Sequence, residues 1–330
     1  MTQTRKNNTV LVTGANSGVG FEAAAQLAEA GWGTVILACR SVEKAEAARA
    51  ALRERVGKDV FATLAVDTSE RETARAAADE LIERGTPIDG LVLNAGASSS
   101  QPQYNSDGVE ITWASTLVGH HVLTMRLWEA GFLSSHARIV IAGSEGARGT
   151  IPGTPLHDVA AVARDQFDGD STAAIVALAK TEAQEGFANM QEYVTAKLVV
   201  AWWAAALGRR LPGGMTVNAV SPGSAPSSNF ARSAGFGMKM LNAFMKTLGP
   251  MVGMAGSLEV AARRYVDALE FDDDTNGLFY ATAHPKKLVG PMGLQDSFEQ
   301  FGDVPLQEAG FEAVVRLTEV PVPSSGLAAQ

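Results

Sequence analysis

The chain has 330 residues, enough to bury a hydrophobic core as one large domain or two small ones. Its shares of 46% hydrophobic and 19% charged residues are typical of an ordinary globular protein. The net charge of −9, from 27 basic and 36 acidic side chains, argues against a surface that binds nucleic acid or an anionic membrane.

Three further features bear on the location of the protein. Residues 1–8 are polar, so we expect no signal peptide. The longest nearly apolar run, residues 198–207, is about half as long as a bilayer span requires. The single cysteine, Cys39, excludes an intrachain disulfide and is compatible with a reducing compartment. We therefore expect a cytoplasmic protein without a membrane span.

The first half of the chain alternates short β-branched runs with longer alanine-rich stretches of helical periodicity. The strand runs are apolar throughout, as is typical of parallel strands covered on both faces. This order predicts an α/β protein with a Rossmann-type, doubly wound parallel sheet and right-handed crossovers. We predict strands over 9–12, 34–39, 60–66, 88–93 and 138–142, and helices over 18–30, 42–56, 70–84 and 109–130.

The second half is less regular between residues 143 and 186, and no repeat or change in composition marks a second domain. We predict helices over 172–183, 191–209 and 257–269, strands over 215–220 and 277–281, and an amphipathic piece near 311–317. The sequence thus predicts one domain over residues 8–284, with an insertion over 145–190 and a C-terminal extension over 285–330. The helix in the insertion is interpreted either as a lid over a substrate pocket or as simple packing against the tail.

A glycine-rich turn joins the first predicted strand to the first predicted helix. Glycines there permit a tight turn and let backbone N–H groups approach a pyrophosphate, while the helix N-terminus supplies partial positive charge. The turn therefore predicts a dinucleotide-binding site. The residues that we expect to contact the cofactor are Gly14, Asn16, Ser17, Gly18, Val19 and Gly20.

Arg40 ends the second predicted strand, where an acidic residue would bind the ribose 2′-hydroxyl of NAD. A guanidinium instead pairs with a 2′-phosphate, so this position predicts NADP(H), although strands often end in an ordinary surface arginine. Asp67 and Thr68 follow the third strand, near the expected adenine. Asn94-Ala95-Gly96 closes the fourth strand against the cofactor.

Tyr193 and Lys197 are four positions apart in a predicted helix and therefore share a face. A neighbouring ammonium stabilises a phenolate and lowers its pKa, which makes the phenol usable in proton transfer, although such a pair is also common on solvated helix faces. Ser144 directly follows the fifth strand, at the sheet edge where open α/β proteins bind their ligands. Its hydroxyl could hold a substrate oxygen beside the phenol.

These segments occur in the order found in the short-chain dehydrogenase/reductase superfamily, which the chain resembles from about residue 8 to 280. They are the TGANSGVG turn, Asp67, Asn94 to Gly96, Ser144, the YVTAK segment and residues 217–223. The resemblance implies that Tyr193 passes a proton to a carbonyl oxygen as hydride arrives from the nicotinamide. It also implies that Lys197 binds the nicotinamide ribose and lowers the pKa of Tyr193, and that Ser144 orients the oxygen.

The same resemblance implies that Pro222, Gly223 and Ser227 contact the nicotinamide carboxamide. It further implies a homo-oligomer, a dimer or a tetramer, because the helix that carries the tyrosine often builds the interface in related proteins. Trp202 and Trp203 lie on this helix, and we interpret them either as interface or as core residues.

Two departures from the superfamily pattern affect the expected chemistry. Thr116 stands where relatives carry an asparagine that helps to hold a water leading away from the lysine, and threonine could still bind a water. The long insertion before Tyr193 resembles retinol dehydrogenases and protochlorophyllide reductases. The latter have a cysteine where this chain has Ser224, which argues against photochemical activity.

The sequence therefore predicts an NADP(H)-dependent oxidoreductase that interconverts a carbonyl and an alcohol. We expect its small-molecule substrate to be apolar and fairly large for a metabolite. One alternative is a non-catalytic NADP(H)-binding sensor or scaffold protein, and another is an isomerase or lyase that uses the cofactor transiently. None of the five histidines is paired with Cys, Asp or Glu at metal-ligand spacing, so we expect core or surface roles for them and no metal site. They are His120, His121, His136, His157 and His284.

Overall fold

A computed structural model describes residues 7–85, 87–150, 155–224 and 256–323. Within these residues eight strands form one sheet in the order β3-β2-β1-β4-β5-β6-β7-β8, parallel except for the antiparallel pair β7 and β8. The strands are β1 (Thr9–Thr13), β2 (Thr34–Cys39), β3 (Phe61–Ala65), β4 (Ile88–Leu93), β5 (Leu133–Ala142), β6 (Thr216–Val220), β7 (Phe279–Thr282) and β8 (Met292–Leu294). The predicted doubly wound α/β fold is confirmed.

Helices cover both faces of this sheet. They are α1 (Gly18–Glu29), α2 (Val42–Val56), α3 (Arg71–Arg84), α4 (Ile111–Trp113), α5 (Gly119–Glu129), α6 (Val159–Gln166), α7 (Ser171–Ala179), α8 (Asn189–Gly208), α9 (Leu258–Ala268) and α10 (Val304–Thr318). Successive strand residues point to opposite faces, so Val10 packs in the core under α1, α2 and α9, whereas Leu11 packs under α3, α5 and α8. This two-sided burial explains the unbroken apolar runs of the strands.

The functional edge of the sheet is set by the order of its central strands. β1 pairs with β2 on one side and with β4 on the other, so the connections diverge there, and Val12 lies opposite Val92 near the ends of β1 and β4. Open α/β sheets bind ligands at such a switch point, outside the carboxyl ends of the strands. The turns after β1, β4 and β5 therefore meet at one edge.

The prediction of a single helix over residues 109–130 is wrong in the middle of that range. α4 is followed by a π-helical turn, Ala114–Val118, before α5 begins at Gly119. The amide of Gly119 donates to the carbonyl of Thr68 (2.9 Å), and a Cβ on Gly119 would lie 2.5 Å from that oxygen. Because this amide bonds outside the helix, the backbone pairing shifts by one residue at this point.

The insertion and the tail pack against each other and against the helix that carries Tyr193. α10 contacts both α7 and α8, and the sequence did not predict α6, which lies beside α7. β8, which comes from the tail, completes one edge of the sheet. The division into a domain over 8–284, an insertion over 145–190 and an extension over 285–330 stays a prediction.

Both tryptophans of α8 are buried within the chain itself. The Nε1 group of Trp202 donates to the carbonyl of Gln300 (2.7 Å), and that of Trp203 donates to Nδ1 of His121 (3.0 Å). A homo-oligomer stays a prediction, and it would have to form through a surface other than this covered face. Among the described helices none is long and apolar enough to cross a membrane.

Candidate active site

The turn after β1 presents open backbone amides at the sheet edge. Gly14 (φ +67°) and Gly18 (φ +59°) adopt the left-handed conformation that favours glycine. Ser17, the N-cap of α1, makes no side-chain capping bond, and the first turn of α1 carries no acidic residue. Among the described residues no side chain accepts from the first amides of α1, and their partial positive charge fits a cofactor phosphate.

The end of β4 fits tightly against this turn. The side-chain amide of Asn94 donates to the carbonyl of Thr13, and the amide of Ala95 donates to the Thr13 hydroxyl, both over 2.9 Å. A Cβ on Gly20 would lie 2.5 Å from both the Gly14 carbonyl oxygen and Nδ2 of Asn94. Asn94 and Ala95, expected as cofactor contacts, thus also hold the turn in its shape.

Two cationic side chains lie at the part of the site where the adenosine ribose of the cofactor is expected. Arg40 is paired with Asp67 (Nε to Oδ2, 3.4 Å), and its side chain is 62% exposed, so it remains available to a ligand. Lys44 lies in the first turn of α2 and lines a groove with Asn16 of the glycine turn. The sequence reasoning missed Lys44, although a second cation four positions after Arg40 was visible.

Thr68 is buried away from this groove and holds the π-turn. Its hydroxyl donates to the carbonyl of Ser115 (3.0 Å), and its own carbonyl accepts from Gly119 (2.9 Å). The structure therefore does not bring the Thr68 side chain together with Arg40 and Asp67.

Ser144 and Tyr193 meet at the carboxyl end of β5, where the side chains of the two residues are hydrogen-bonded. The Ser144 hydroxyl also accepts from the amide of Gly146 (3.1 Å) and thereby caps a short 3-10 turn over Glu145–Arg148. Burial raises the pKa of Tyr193, the Ser144 bond opposes that rise, and the nearby charge of Glu145 adds to it. Tyr193 is therefore a protonated phenol at neutral pH.

Lys197 lies beneath Tyr193 and is almost fully buried. Its ammonium donates to the carbonyl of Ala142 (2.6 Å) and lies 5.9 Å from the centre of the Tyr193 ring. Burial lowers the pKa of Lys197 to about 7. Burial is the largest influence on the pKa of Tyr193, and the expectation that Lys197 lowers this pKa stays a prediction.

Thr116, at the position of the family asparagine, lies within the π-turn. Its hydroxyl faces Gly96, where a Cβ would be 3.6 Å from Oγ1. Its carbonyl accepts a hydrogen bond from Nδ1 of His120 (2.8 Å). Thr116 and Gly96 are thus brought together at the edge of the cleft, as expected for two site residues.

A buried ion pair supports the loop that follows β5. Glu145 pairs with Arg264 (3.3 Å) and accepts from the amide of Thr282 (3.1 Å) and from the hydroxyl of Ser221. Arg264 also donates to the carbonyl of Ser221 (2.9 Å). This network fixes the ends of β5, β6 and β7 relative to one another. The sequence reasoning missed it, because no local spacing connects these residues.

The segment after β6 begins at this network. Pro222 follows Ser221, and Gly223 (φ +79°) donates its amide to the Ser221 hydroxyl (3.2 Å). Ser227, which was expected to contact the nicotinamide, lies outside the described residues.

Glu192, directly before Tyr193, is fully buried and anchors the insertion. Its carboxylate accepts from Nε1 of Trp113 (3.1 Å) and from the side-chain amide of Gln184 (2.7 Å), and it contacts Nε2 of His157 (3.0 Å). The last two residues belong to the insertion, which is therefore attached to the helix that carries the candidate acid. Sequence analysis had interpreted His157 only as a core or surface residue.

Known proteins resemble this chain over most of its length. Residues 8–157 match the family described as short chain dehydrogenase. Retinol dehydrogenase 13 of Homo sapiens is 30% identical over 276 residues, which cover 82% of this chain and 75% of that protein. Chloroplastic protochlorophyllide reductase of Cucumis sativus is 33% identical over 147 residues, but this match covers only 43% of this chain and 36% of that protein.

A solved structure extends the likeness to the fold. The crystal structure of a short chain dehydrogenase from Burkholderia cenocepacia, in complex with NADP, has a TM-score of 0.58 and 22% identity. The match covers 84% of this chain and 96% of that one. Sequence identity across three quarters of retinol dehydrogenase 13, together with the matching family, identifies this chain as a member of the short-chain dehydrogenase family of oxidoreductases.

Proposed function

We propose that this protein is an NADP(H)-dependent oxidoreductase that interconverts a carbonyl and an alcohol, with Tyr193 as general acid and base. The observation that carries the proposal is the hydrogen-bonded pair of Ser144 and Tyr193 above the buried Lys197, at the same sheet edge as the glycine turn. A polarised carbonyl needs a proton donor and an oxygen-binding group side by side, and this pair supplies both.

The chain's own residues handle the proton and the substrate oxygen. When bound, the nicotinamide supplies the hydride chemistry. In the reductive direction Tyr193 starts as a neutral phenol and donates its proton to the carbonyl oxygen, while Ser144 holds that oxygen in place. The phenolate that results is stabilised by the Lys197 ammonium, which lies near the ring. In the oxidative direction the phenolate takes the proton from the alcohol.

NADP(H) is supported as the cofactor by two cationic side chains near the glycine turn. Arg40 follows β2 and is largely exposed, and Lys44 lines a groove with Asn16 of the turn, so both could pair with a ribose 2′-phosphate. A bound phosphate would share Arg40 with Asp67, the present partner of that guanidinium. The NADP complex of the Burkholderia cenocepacia relative agrees with this cofactor.

The cofactor part of the proposal is tested by equilibrium binding of NADPH and NADH. We expect wild type to favour NADPH, and Arg40→Asp to weaken NADPH binding by at least tenfold while sparing NADH. Arg49→Asp is the matched charge control on α2, at a partly exposed arginine that pairs with Glu46, and should change neither affinity. Equal affinity of wild type for the two cofactors would refute the choice of NADP(H).

For the substrate we propose a small-molecule ketone or aldehyde, or the matching alcohol, of fairly large apolar character. The long insertion beside α8 and the likeness to retinol dehydrogenase 13 support this class. The experiment is NADPH oxidation against a panel of ketones, quinones and long-chain aldehydes. We expect turnover with at least one, lost in Tyr193→Phe and kept in Tyr280→Phe, a control on β7. Wild type that binds NADPH but reduces no carbonyl would favour the sensor or scaffold alternative.

A further inference from the structure

His120 lies at the start of α5 with almost no exposed surface, and both ring nitrogens are hydrogen-bonded. Nδ1 lies 2.8 Å from the carbonyl oxygen of Thr116, and Nε2 lies 2.9 Å from the hydroxyl of Thr13. Thr13 immediately precedes the glycine turn, and Thr116 lies in the π-turn next to Gly96. One imidazole thus joins the cofactor side of the cleft to its catalytic side.

The partners of His120 fix both its tautomer and the direction of each bond. A carbonyl oxygen can only accept, so Nδ1 carries the hydrogen and donates it to Thr116. Because the ring is neutral at ordinary pH, Nε2 is an acceptor, and the Thr13 hydroxyl donates to it over 2.9 Å, with the carbonyl of Val92 as a more distant alternative acceptor at 3.5 Å. The oxygen of that hydroxyl in turn accepts the amide of Ala95 (2.9 Å). The bonds form one directed chain, from Ala95 through Thr13 and His120 to Thr116.

The imidazole stays neutral over the whole working range of pH. Burial lowers the pKa of His120 to about 3, the bond to the Thr116 carbonyl opposes this, and the charge of Lys197 lowers it further. The donor and the acceptor of each bond in this chain therefore stay the same around neutral pH. A permanently neutral ring is suited to holding groups in place and is unsuited to exchanging protons.

We propose that His120 is a positioning residue that holds the dinucleotide turn, through Thr13, and the π-turn, through Thr116, in the relative arrangement that hydride transfer needs. The inference rests on the proposed function. The Thr13 bond keeps the turn against Asn94 and Ala95, where Gly14 and Gly20 have no spare room. The Thr116 bond fixes the segment that faces Gly96, and the His120 ring itself lies within electrostatic reach of Lys197.

Two substitutions separate the bonds. In His120→Asn the side-chain amide can still donate to Thr116, but nothing reaches the Thr13 hydroxyl, so we expect the Kd for NADPH to rise about tenfold with kcat little changed. In His120→Gln the amide oxygen can still accept from Thr13, but the Thr116 carbonyl loses its donor. We expect that variant to keep its NADPH affinity and to lose about tenfold in kcat.

The matched control is His121→Gln. His121 is equally buried and also bonded at both nitrogens, but its partners are Trp203 and the carbonyl of Val320, on the side of α10. We expect it to lower the melting temperature about as much as the His120 variants, with unchanged Kd and kcat. The pH profile of kcat should keep its shape in all three variants.

Several results would overturn the inference. The first is that His120→Asn and His120→Gln both match wild type in Kd and kcat. The second is that both variants show the same increase in Kd and the same decrease in kcat. The third is that the pH profile of kcat shifts in either variant. Melting curves for each variant separate loss of fold from loss of position. Wild type that binds NADPH but reduces no carbonyl would refute the proposed function, and the comparison of Kd values would still decide on His120.

Discussion

The Nζ atom of Lys197 lies 2.6 Å from the carbonyl oxygen of Ala142, the last residue of β5. Ser144 follows that residue by two positions, so the cation and the serine hydroxyl are both placed by the end of one strand. The buried ammonium is thus held by the sheet, and Tyr193 enters the group from α8. Keeping this charge away from water lowers the pKa of Lys197 to about 7.

Lys197→Met should change stability and activity in opposite directions, because it raises the melting temperature at pH 6 and lowers kcat. The pKa of Lys197 is about 7 in the fold and near 10.5 in the unfolded chain, so the buried charge destabilises the fold below pH 7. Wild type should therefore gain stability as the pH rises from 7 to 10.5, and the variant should not. We expect Lys197→Met to melt higher than wild type at pH 6, by a margin that closes towards pH 10, and to lose at least 100-fold in kcat. Thermal unfolding across this range checks it, and a margin that does not vary with pH would contradict it.

Glu110→Gln should stabilise the protein at alkaline pH. Burial raises the pKa of Glu110 to about 7, although hydrogen bonds from Thr112 oppose the rise, and Glu192 adds to it. The folded carboxyl holds its proton more tightly than the unfolded one, so wild type loses stability as the pH rises from 4.5 to 7. Glutamine can still cap the amide of Thr112. We expect a gain of about 3 kcal/mol at pH 8 and little difference at pH 4, measured by urea unfolding. Glu54→Gln, at an exposed position of α2, is the control and should leave the free energy of unfolding at pH 8 unchanged.

Thr181→Gly should relieve backbone strain at the end of α7. Thr181 has φ +58°, a conformation that a β-branched residue adopts only under strain and that glycine adopts freely. The same residue bonds the hydroxyl of Tyr104 (2.5 Å), and the substitution removes that bond. In the Tyr104→Phe background, where the bond is already absent, we expect Thr181→Gly to raise the free energy of unfolding by about 1 kcal/mol. A loss of stability in that background would show that the threonine is held without strain.

Gly20→Ala should damage the cofactor turn directly. The added Cβ would lie 2.5 Å from the Gly14 carbonyl oxygen, a backbone atom that cannot turn aside as a side chain does. We expect the Kd for NADPH to rise at least tenfold and the free energy of unfolding to fall by about 1–3 kcal/mol. Gly213→Ala is the control, because a Cβ there meets nothing within 4 Å. Unchanged NADPH binding in Gly20→Ala would show that the turn can move without harm.

The regular parts of this fold could be predicted from sequence because their causes are local. An apolar run that is buried on both faces identifies β1 or β2 on its own, and the glycines of the first turn stand next to the strand they serve. The same holds for Ser144 and Tyr193, since each follows from its place at the end of β5 or within α8.

What sequence could not predict depends on contacts between distant segments. The π-turn exists because Gly119 donates to Thr68, which no helical periodicity can indicate. The pKa of Tyr193 is raised mainly by its burial in the folded chain, which no local spacing indicates. His120 was interpreted as an ordinary core or surface histidine, because the segments that carry Thr13 and Thr116 meet only in the folded chain.

The position of α10 affects how the chain can fold while it is being synthesised. Trp202 and Trp203 take their hydrogen-bond partners from Gln300 and from α5, and α10 packs over the same helix. During synthesis we therefore expect the face of α8 that carries these tryptophans to stay exposed to solvent until α10, which ends at residue 318, has left the ribosome. A nascent chain that already contains Tyr193 and Lys197 would thus present an exposed hydrophobic surface, which favours chaperone binding and aggregation before folding is complete.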